Sequence, residues 1–218
     1  MNSGYFTLLS AALGAHVYAF DLQVYCIKVV TELLRNKNPH LLSRIDIFNV
    51  GLGTPAVVKV PNNTCEGTFG TGGVASASSL LTAGEVVASI VNPANLLPTW
   101  RDEVTLVKID TEGAEADILA NLLPIVEAGS VKNIVVELIP AHWPSRGSSL
   151  EAGIKTMERL EALASRVVLL YDPVGFDFPK SPMKIAGFDG DLYTKFSVSA
   201  LVRDRHDKKA GCNVWFTF

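Results

Sequence analysis

Apolar and polar residues fall in blocks along this chain, and the spacing inside the blocks switches between two periods. One is strand-like; the other, about 3.6 residues, is helical. Leu8, Leu9, Ala12 and Leu13 make a helical stripe that Gly14 closes. Val17 to Phe20 reads as a short buried strand ending at Asp21. Val24 to Lys37 reads as a helix with Ile27, Val30 and Leu34 on one face, ended by Asn36, Asn38 and Pro39. Arg44 to Val50 is a strand closed by Gly51-Leu52-Gly53. Ala56 to Val60 and Glu85 to Val91 are further strand candidates on either side of a Gly-, Ser- and Thr-rich loop, Asn62 to Ser79. Ala94 to Leu97 predicts a helical turn before Pro98.

The pattern sharpens in the second half. Val104 to Ile109 is an apolar run that ends on Asp110, with Glu112, Gly113 and Glu115 following at once. A helix runs from about Ala114 to Leu123, and Pro124 to Ala128 extends it towards Gly129. Val131 to Leu138 is a strong buried strand carrying Glu137 near its end. Ser148 and Glu151 form a capping box ahead of an amphipathic helix bearing Leu150, Ile154, Met157, Leu160 and Leu163. Arg166 to Tyr171 is a strand, and 172–191 reads as irregular. Lys195 to Val202 and Asn213 to Phe218 read as strands that pair antiparallel across the charged turn Arg203 to Gly211. Alternating strands and helices predict an α/β fold: a mostly parallel sheet, helices on both faces and an antiparallel edge. No repeat and no linker divides the chain, so residues 1–218 read as one domain.

Composition narrows the function classes. The chain has 218 residues, 48% of them apolar and 19% charged, with a net charge of −3. That is a globular composition. The densest basic stretch, Arg203 to Lys209, is interleaved with Asp204 and Asp207, which argues against nucleic acid as a partner. No apolar run reaches the roughly 18 residues of a membrane helix. Cys26, Cys65 and Cys212 are few and scattered, neither a disulfide framework nor a metal set, which favours a reducing, cytoplasmic setting. Asn62-Asn63-Thr64 fits a glycosylation sequon, a triplet common by chance.

The chemistry concentrates at strand ends. Ligands of open α/β sheets bind at the carboxyl ends of strands. Asp110, Glu112 and Glu115 follow one such end, Glu137 another, and Asp21 a third. Asn2 and Gly4 precede the first helix, where a Gly-containing turn lets a ligand approach backbone N–H groups. No G-x-G-x-x-G and no phosphate-binding G-x-x-x-x-G-K-[ST] occurs, and Gly70-Thr71-Gly72-Gly73 reads as a flexible loop. The acids lack His or Cys at ligand spacing, so no metal site is supported, which leaves only a hard divalent ion held by carboxylates as an alternative.

Lys108-Ile109-Asp110-Thr111-Glu112-Gly113-Ala114-Glu115 resembles the K-I-D-x-E-G-x-E stretch of the FkbM-type S-adenosylmethionine-dependent methyltransferases. Asn2, Gly4 and Thr7 resemble the second half of that family's first motif. Ala19-Phe20-Asp21 resembles its ribose-binding strand end, with Asp for Glu. Asn49 and Gly51-Leu52-Gly53 fall where the adenine-side strand ends, and Val135-Val136-Glu137 resembles the next acidic strand end. The likeness covers about residues 2–140. It implies a class I, Rossmann-like fold whose first strand is missing here, with Met1 reading as an internal methionine of a longer protein.

It also implies S-adenosyl-L-methionine as cofactor and methyl transfer to a hydroxyl of a small molecule or sugar. Asn2, Gly4, Tyr5, Thr7, Asp21, Asn49, Gly51, Asp110 and Glu137 are then the cofactor-binding candidates. Asp110 faces the cofactor's methionine end or the acceptor, Glu112 contacts the acceptor, and His142 is the candidate general base. Asp110 reads alternatively as a helix N-terminal acid favoured by the dipole, and Glu115 reads as an acid of the first helical turn. Phe6 lines the cofactor or packs in the core, and Trp100 and Trp143 wall an acceptor pocket or pack. His16, His40 and His206 read as surface residues. Two other readings compete: a non-catalytic nucleotide-binding or interaction domain, and a nicotinamide-dependent oxidoreductase that rests on Asp21 alone.

Overall fold

The computed structural model describes residues 4–62, 65, 84–96, 104–171, 175, 180–185 and 188–218. Asn2, Asn63, Thr64, Trp100 and most of the 62–79 loop lie outside the described residues. The chain folds as two compact units, Met1–Asn92 and Pro93–Phe218.

In the first unit, helix α1 (Tyr5–Ala12) leads into strand β1 (Val17–Phe20), helix α2 (Val24–Lys37), a 3₁₀ segment (Pro39–Arg44) and strand β2 (Ile45–Phe48). β1 and β2 pair in parallel, Val17 opposite Ile45 and Phe20 opposite Phe48. The helices close on these strands through Ala11, Val30, Leu34, Leu41 and Ile45. Gly4 starts α1 with φ 81°, and a Cβ there would stand 2.7 Å from Val30 Cγ2. The inward face of α1 is Gly4, Thr7 and Ala11, with Leu8 half-buried, while Leu9 and Leu13 are exposed. The expected stripe is therefore rotated. Small residues are what fit where α1 lies against α2, and the leucines are left outside.

Strand β3 (Gly51–Leu52) pairs in parallel with β5 (Glu85–Val91), and β5 pairs antiparallel with β4 (Ala56–Pro61). Val58, Val60 and Ala88 form a second small core under this sheet. Cys26 of α2 is disulfide-bonded to Cys65. That overturns the expectation of three unconnected thiols, and with it the basis for a reducing compartment.

The second unit begins with a short helix, α3 (Pro93–Leu96), and strand β6 (Val107–Ile109). It continues through helix α4 (Glu115–Glu127), strand β7 (Asn133–Leu138), a 3₁₀ segment (Pro140–Arg146), helix α5 (Leu150–Leu163) and strand β8 (Arg166–Tyr171). Strands β9 (Ser181–Ile185) and β10 (Phe188–Thr194), helix α6 (Val198–Lys208) and strand β11 (Cys212–Thr217) complete it. One six-stranded sheet runs β6-β7-β11-β8-β10-β9. β6 and β7 are parallel; every other neighbouring pair is antiparallel.

The fold is thus mixed α/β with some parallel strands, but antiparallel pairing is more frequent than expected. Among the described residues three pairings are parallel and five antiparallel. The antiparallel element is not an edge either. β11 lies inside the sheet, between β7 and β8.

Two further expectations are corrected. Residues 195–202 do not form a strand beside β11. Val198, Leu201, Val202 and Arg205 are all fully buried, and their spacing of three, four and seven is helical. The Ser197 hydroxyl caps that helix, accepting from Ala200 N at 3.2 Å. The charged turn at 203–211 is largely its outer face. The segment 172–191 contains β9 and β10 rather than irregular chain alone. Helix α5 starts as expected, one residue along: Ser149, not Ser148, accepts from Ala152 N. No helix among the described residues is long and apolar enough to cross a membrane.

Candidate functional site

Parallel pairing of β6 and β7 places Ile109 opposite Val136. Asp110, the first residue past β6, therefore stands beside Glu137, the penultimate residue of β7, at the sheet's carboxyl edge. Glu112 and Gly113 then both adopt left-handed backbone, φ 54° and 112°. For a non-glycine residue this costs about 1–2 kcal/mol. The double turn folds Glu112 back over the strand ends. Carboxylate oxygens of Asp110, Glu112 and Glu137 lie within 4.8 Å of one another.

Three acids so close cannot all ionise at no cost. Glu137 carries the consequence: its pKa is raised from 4.5 to about 7. Burial is the largest cause, followed by a hydrogen bond to Asp110 and the charges of Asp110 and Glu112, with Lys108 acting the other way. Near neutral pH Glu137 is part-protonated, and its carboxyl hydrogen-bonds to Asp110. Lys108 Nζ stands 3.5 Å from Asp110 Oδ2 and donates to Asn213 Oδ1 at 3.4 Å and to Ile109 O at 3.2 Å. Asn213 faces Glu137 across the β7–β11 register. The arrangement is a net-negative patch with a protonatable carboxyl at its centre, suited to a cation.

Beneath the turn is a brace. Glu115 is fully buried. One carboxylate oxygen accepts from Gly113 N at 2.6 Å and Thr111 Oγ1 at 3.3 Å; the other accepts from Trp143 Nε1 at 3.0 Å. Burial raises the pKa of Glu115, and these donors oppose the rise. Glu115 does open α4, but its work is to clasp the 111–113 turn rather than to meet the dipole in solvent. Trp143 has no exposed surface, so it packs and walls no pocket. Its ring lies where Gly153 of α5 leaves room; a Cβ at Gly153 would overlap it. His142 comes to the turn from the same 3₁₀ segment, and a Cβ on Gly113 would press on His142 Cβ. His142 is half-buried beside the turn.

The first unit gathers its own polar strand end. Asp21 Oδ1 accepts from Gln23 N at 2.7 Å, and Asn49 Nδ2 donates to the carbonyls of Asp21 at 3.0 Å and Leu22 at 3.2 Å. Asp21 and Asn49 thus share the carboxyl ends of β1 and β2. Gly51 has a packing reason, since a Cβ there would meet Leu22 Cδ2 at 2.9 Å. Gly4 likewise answers to Val30, and Thr7 is buried. Tyr5 and Phe6 are 65% and 51% exposed and meet edge to face, so Phe6 is not a core residue. His16 is at the surface, bonded to Asp46 at 2.8 Å; His40 is exposed and His206 is paired with Asp207.

Of the expected site residues, Asp110, Glu112 and Glu137 meet in one cluster with His142 beside it. Asp21 and Asn49 meet in another. Lys108, Asn213 and the Glu115–Trp143 tie had not been assigned to the site. Lys108 stood inside the quoted stretch; Asn213 and Trp143 are brought in by long-range pairing and leave no local signal. The three carboxylates have the hardness a divalent ion needs, and two of them, Glu137 and Asp110, are already tied by a hydrogen bond. No family model, curated protein or solved structure matches this chain.

Proposed function

We propose that this chain is a methyltransferase domain using S-adenosyl-L-methionine, with a hydroxyl of a small molecule or sugar as acceptor. One observation carries the reading. Asp110, Glu112 and Glu137 converge within 4.8 Å at the carboxyl ends of two parallel strands, and their stretch resembles K-I-D-x-E-G-x-E. A cofactor with a sulfonium and an ammonium group fits such a patch, and an acid-rich pocket repels anionic ligands. The cofactor, when bound, would supply an electrophilic methyl group to an in-line acceptor oxygen, with S-adenosylhomocysteine leaving and the acceptor's proton passing to a base.

The chain's own residues align and prepare that displacement. Asp110 and Glu112 face the cationic end. Glu137, poised near neutral pH, takes the acceptor's proton more readily than an ordinary carboxylate, a role for which His142 is the candidate by sequence. Lys108 and Asn213 hold Asp110 and the neighbouring strand end in place. Calorimetry with S-adenosylhomocysteine tests the binding step: saturable binding by the full chain is expected, and its absence rejects the reading. A metabolite screen with methyl-labelled cofactor then identifies the acceptor.

A further inference from the structure

The first unit carries two features that the methyl-transfer reading does not use, and both belong to one chemical environment. Cys26, fully buried on α2, is bonded to Cys65, with 5.0 Å between their Cα atoms. That separation lies inside the usual range of about 4.4–6.8 Å. The bond ties α2 to the chain just beyond β4. Three residues before Cys65, Asn62 follows the last residue of β4. Its N–H donates to Gly84 O at 2.8 Å, which closes the base of the β4–β5 pair. Its side chain is exposed. In the sequence Asn62 opens the triplet Asn62-Asn63-Thr64, whose middle residue is not proline.

Disulfides form and persist in oxidising compartments. Asn-x-Thr is a glycan acceptor on the surface of proteins that pass through the secretory lumen. The triplet alone is common by chance. An acceptor asparagine exposed at the end of a strand and three residues from a disulfide half-cystine is a narrower observation.

We propose that Asn62 is an N-glycosylation site and that the Cys26–Cys65 bond forms in the same lumen. In the first step Asn62 Nδ2 bonds to the anomeric carbon of a lipid-pyrophosphate-linked oligosaccharide. The carbon–oxygen bond to pyrophosphate breaks, the lipid pyrophosphate leaves with the electron pair, and the amide gives up one proton. In the second step the two thiols lose two protons and two electrons to a disulfide-bearing oxidoreductase, which is reduced to a dithiol. Cys212, fully buried, stays a thiol.

The test uses the full chain isolated from the cells that make it. An N-glycan amidase should increase its gel mobility by one glycan and convert Asn62 to Asp in the peptide mass. Alkylation of the denatured, unreduced protein should modify one cysteine, and alkylation after reduction should modify all three. Asn62→Gln and Thr64→Ala should each abolish the amidase shift and keep the one-to-three alkylation pattern. Thr64→Ala leaves Asn62 itself intact, so it separates loss of the acceptor triplet from damage at the strand end. An unshifted wild-type band, a shift that survives both substitutions, or three alkylated cysteines without reduction overturns the proposal.

Discussion

The two units of this chain reach stability by different means. In the second, Trp143, Leu138, Met157, Leu169 and Phe216 have no exposure to speak of, and the sheet has six strands. In the first, the clusters are small and the sheets have two and three strands. Eleven of the twelve exposed large hydrophobics among the described residues belong to the first unit, Tyr5, Leu13 and Val87 most openly. A unit with so thin a core gains from a covalent tie, and Cys26–Cys65 supplies one. The contrast bears on function. A constellation of like charges has to be held against its own repulsion by a rigid support. The Asp110–Glu112–Glu137 cluster stands on the well-packed unit, clasped from below by Glu115 and Trp143.

Removing the brace should have the largest effect. Trp143→Ala empties a fully buried site and strips Glu115 of a donor, a loss of about 3–5 kcal/mol. Chemical denaturation should show it in the second unit's transition; a midpoint unchanged from wild type breaks the contrast. Cys26→Ser acts on the other unit. The bond joins residues 39 apart, for which chain entropy gives roughly 2–4 kcal/mol. Denaturation should be followed by the exposed Tyr18 and Tyr25, with Trp143 and Trp215 reporting the second unit. An equal shift in both signals denies that the units differ in what holds them.

Glu137→Gln is subtler and depends on pH. Unfolded, Glu137 titrates near 4.5; folded, near 7. Between these values the folded protein holds a proton that the unfolded chain has released, so stability falls as pH rises from 4.5 to 7 and levels off above. The Gln variant should lose that decline while keeping the wild-type plateau at low pH. Thermal melts across this window check it, and an unaltered slope contradicts the raised pKa of Glu137.

Much of this architecture was legible in the sequence, and the failures are instructive. Helix α2 was bounded to the residue, because Val24 to Lys37 carries both its apolar face and its stop signals. The acid-bearing turn was legible for a local reason: the strand, the glycine and the acids are contiguous. Helix α6 was missed because Phe196, Val198, Leu201 and Val202 look strand-like until Arg205 is counted as an inward residue, and a buried arginine is not expected. It is buried with its ion-pair partner Asp204 at 2.8 Å and with Gly175 O accepting at 2.7 Å. Glu115 was taken for a solvent-side helix acid because its donor, Trp143, stands 28 residues away. The disulfide was invisible for the same reason. Pairings over long separations are decided by the fold, and no local pattern announces them.

Titration of S-adenosylmethionine into the full chain by calorimetry tests the central claim, that the strand-end acids form a cation-binding cofactor site. Wild-type protein should bind, and more tightly at pH 8 than at pH 6, because Glu137 must lose its proton before the cation is fully paired. Asp110→Asn should weaken binding at pH 8 by about tenfold or more, some 1.4 kcal/mol. Equal affinity for wild type and Asp110→Asn, or no binding by either, contradicts the account.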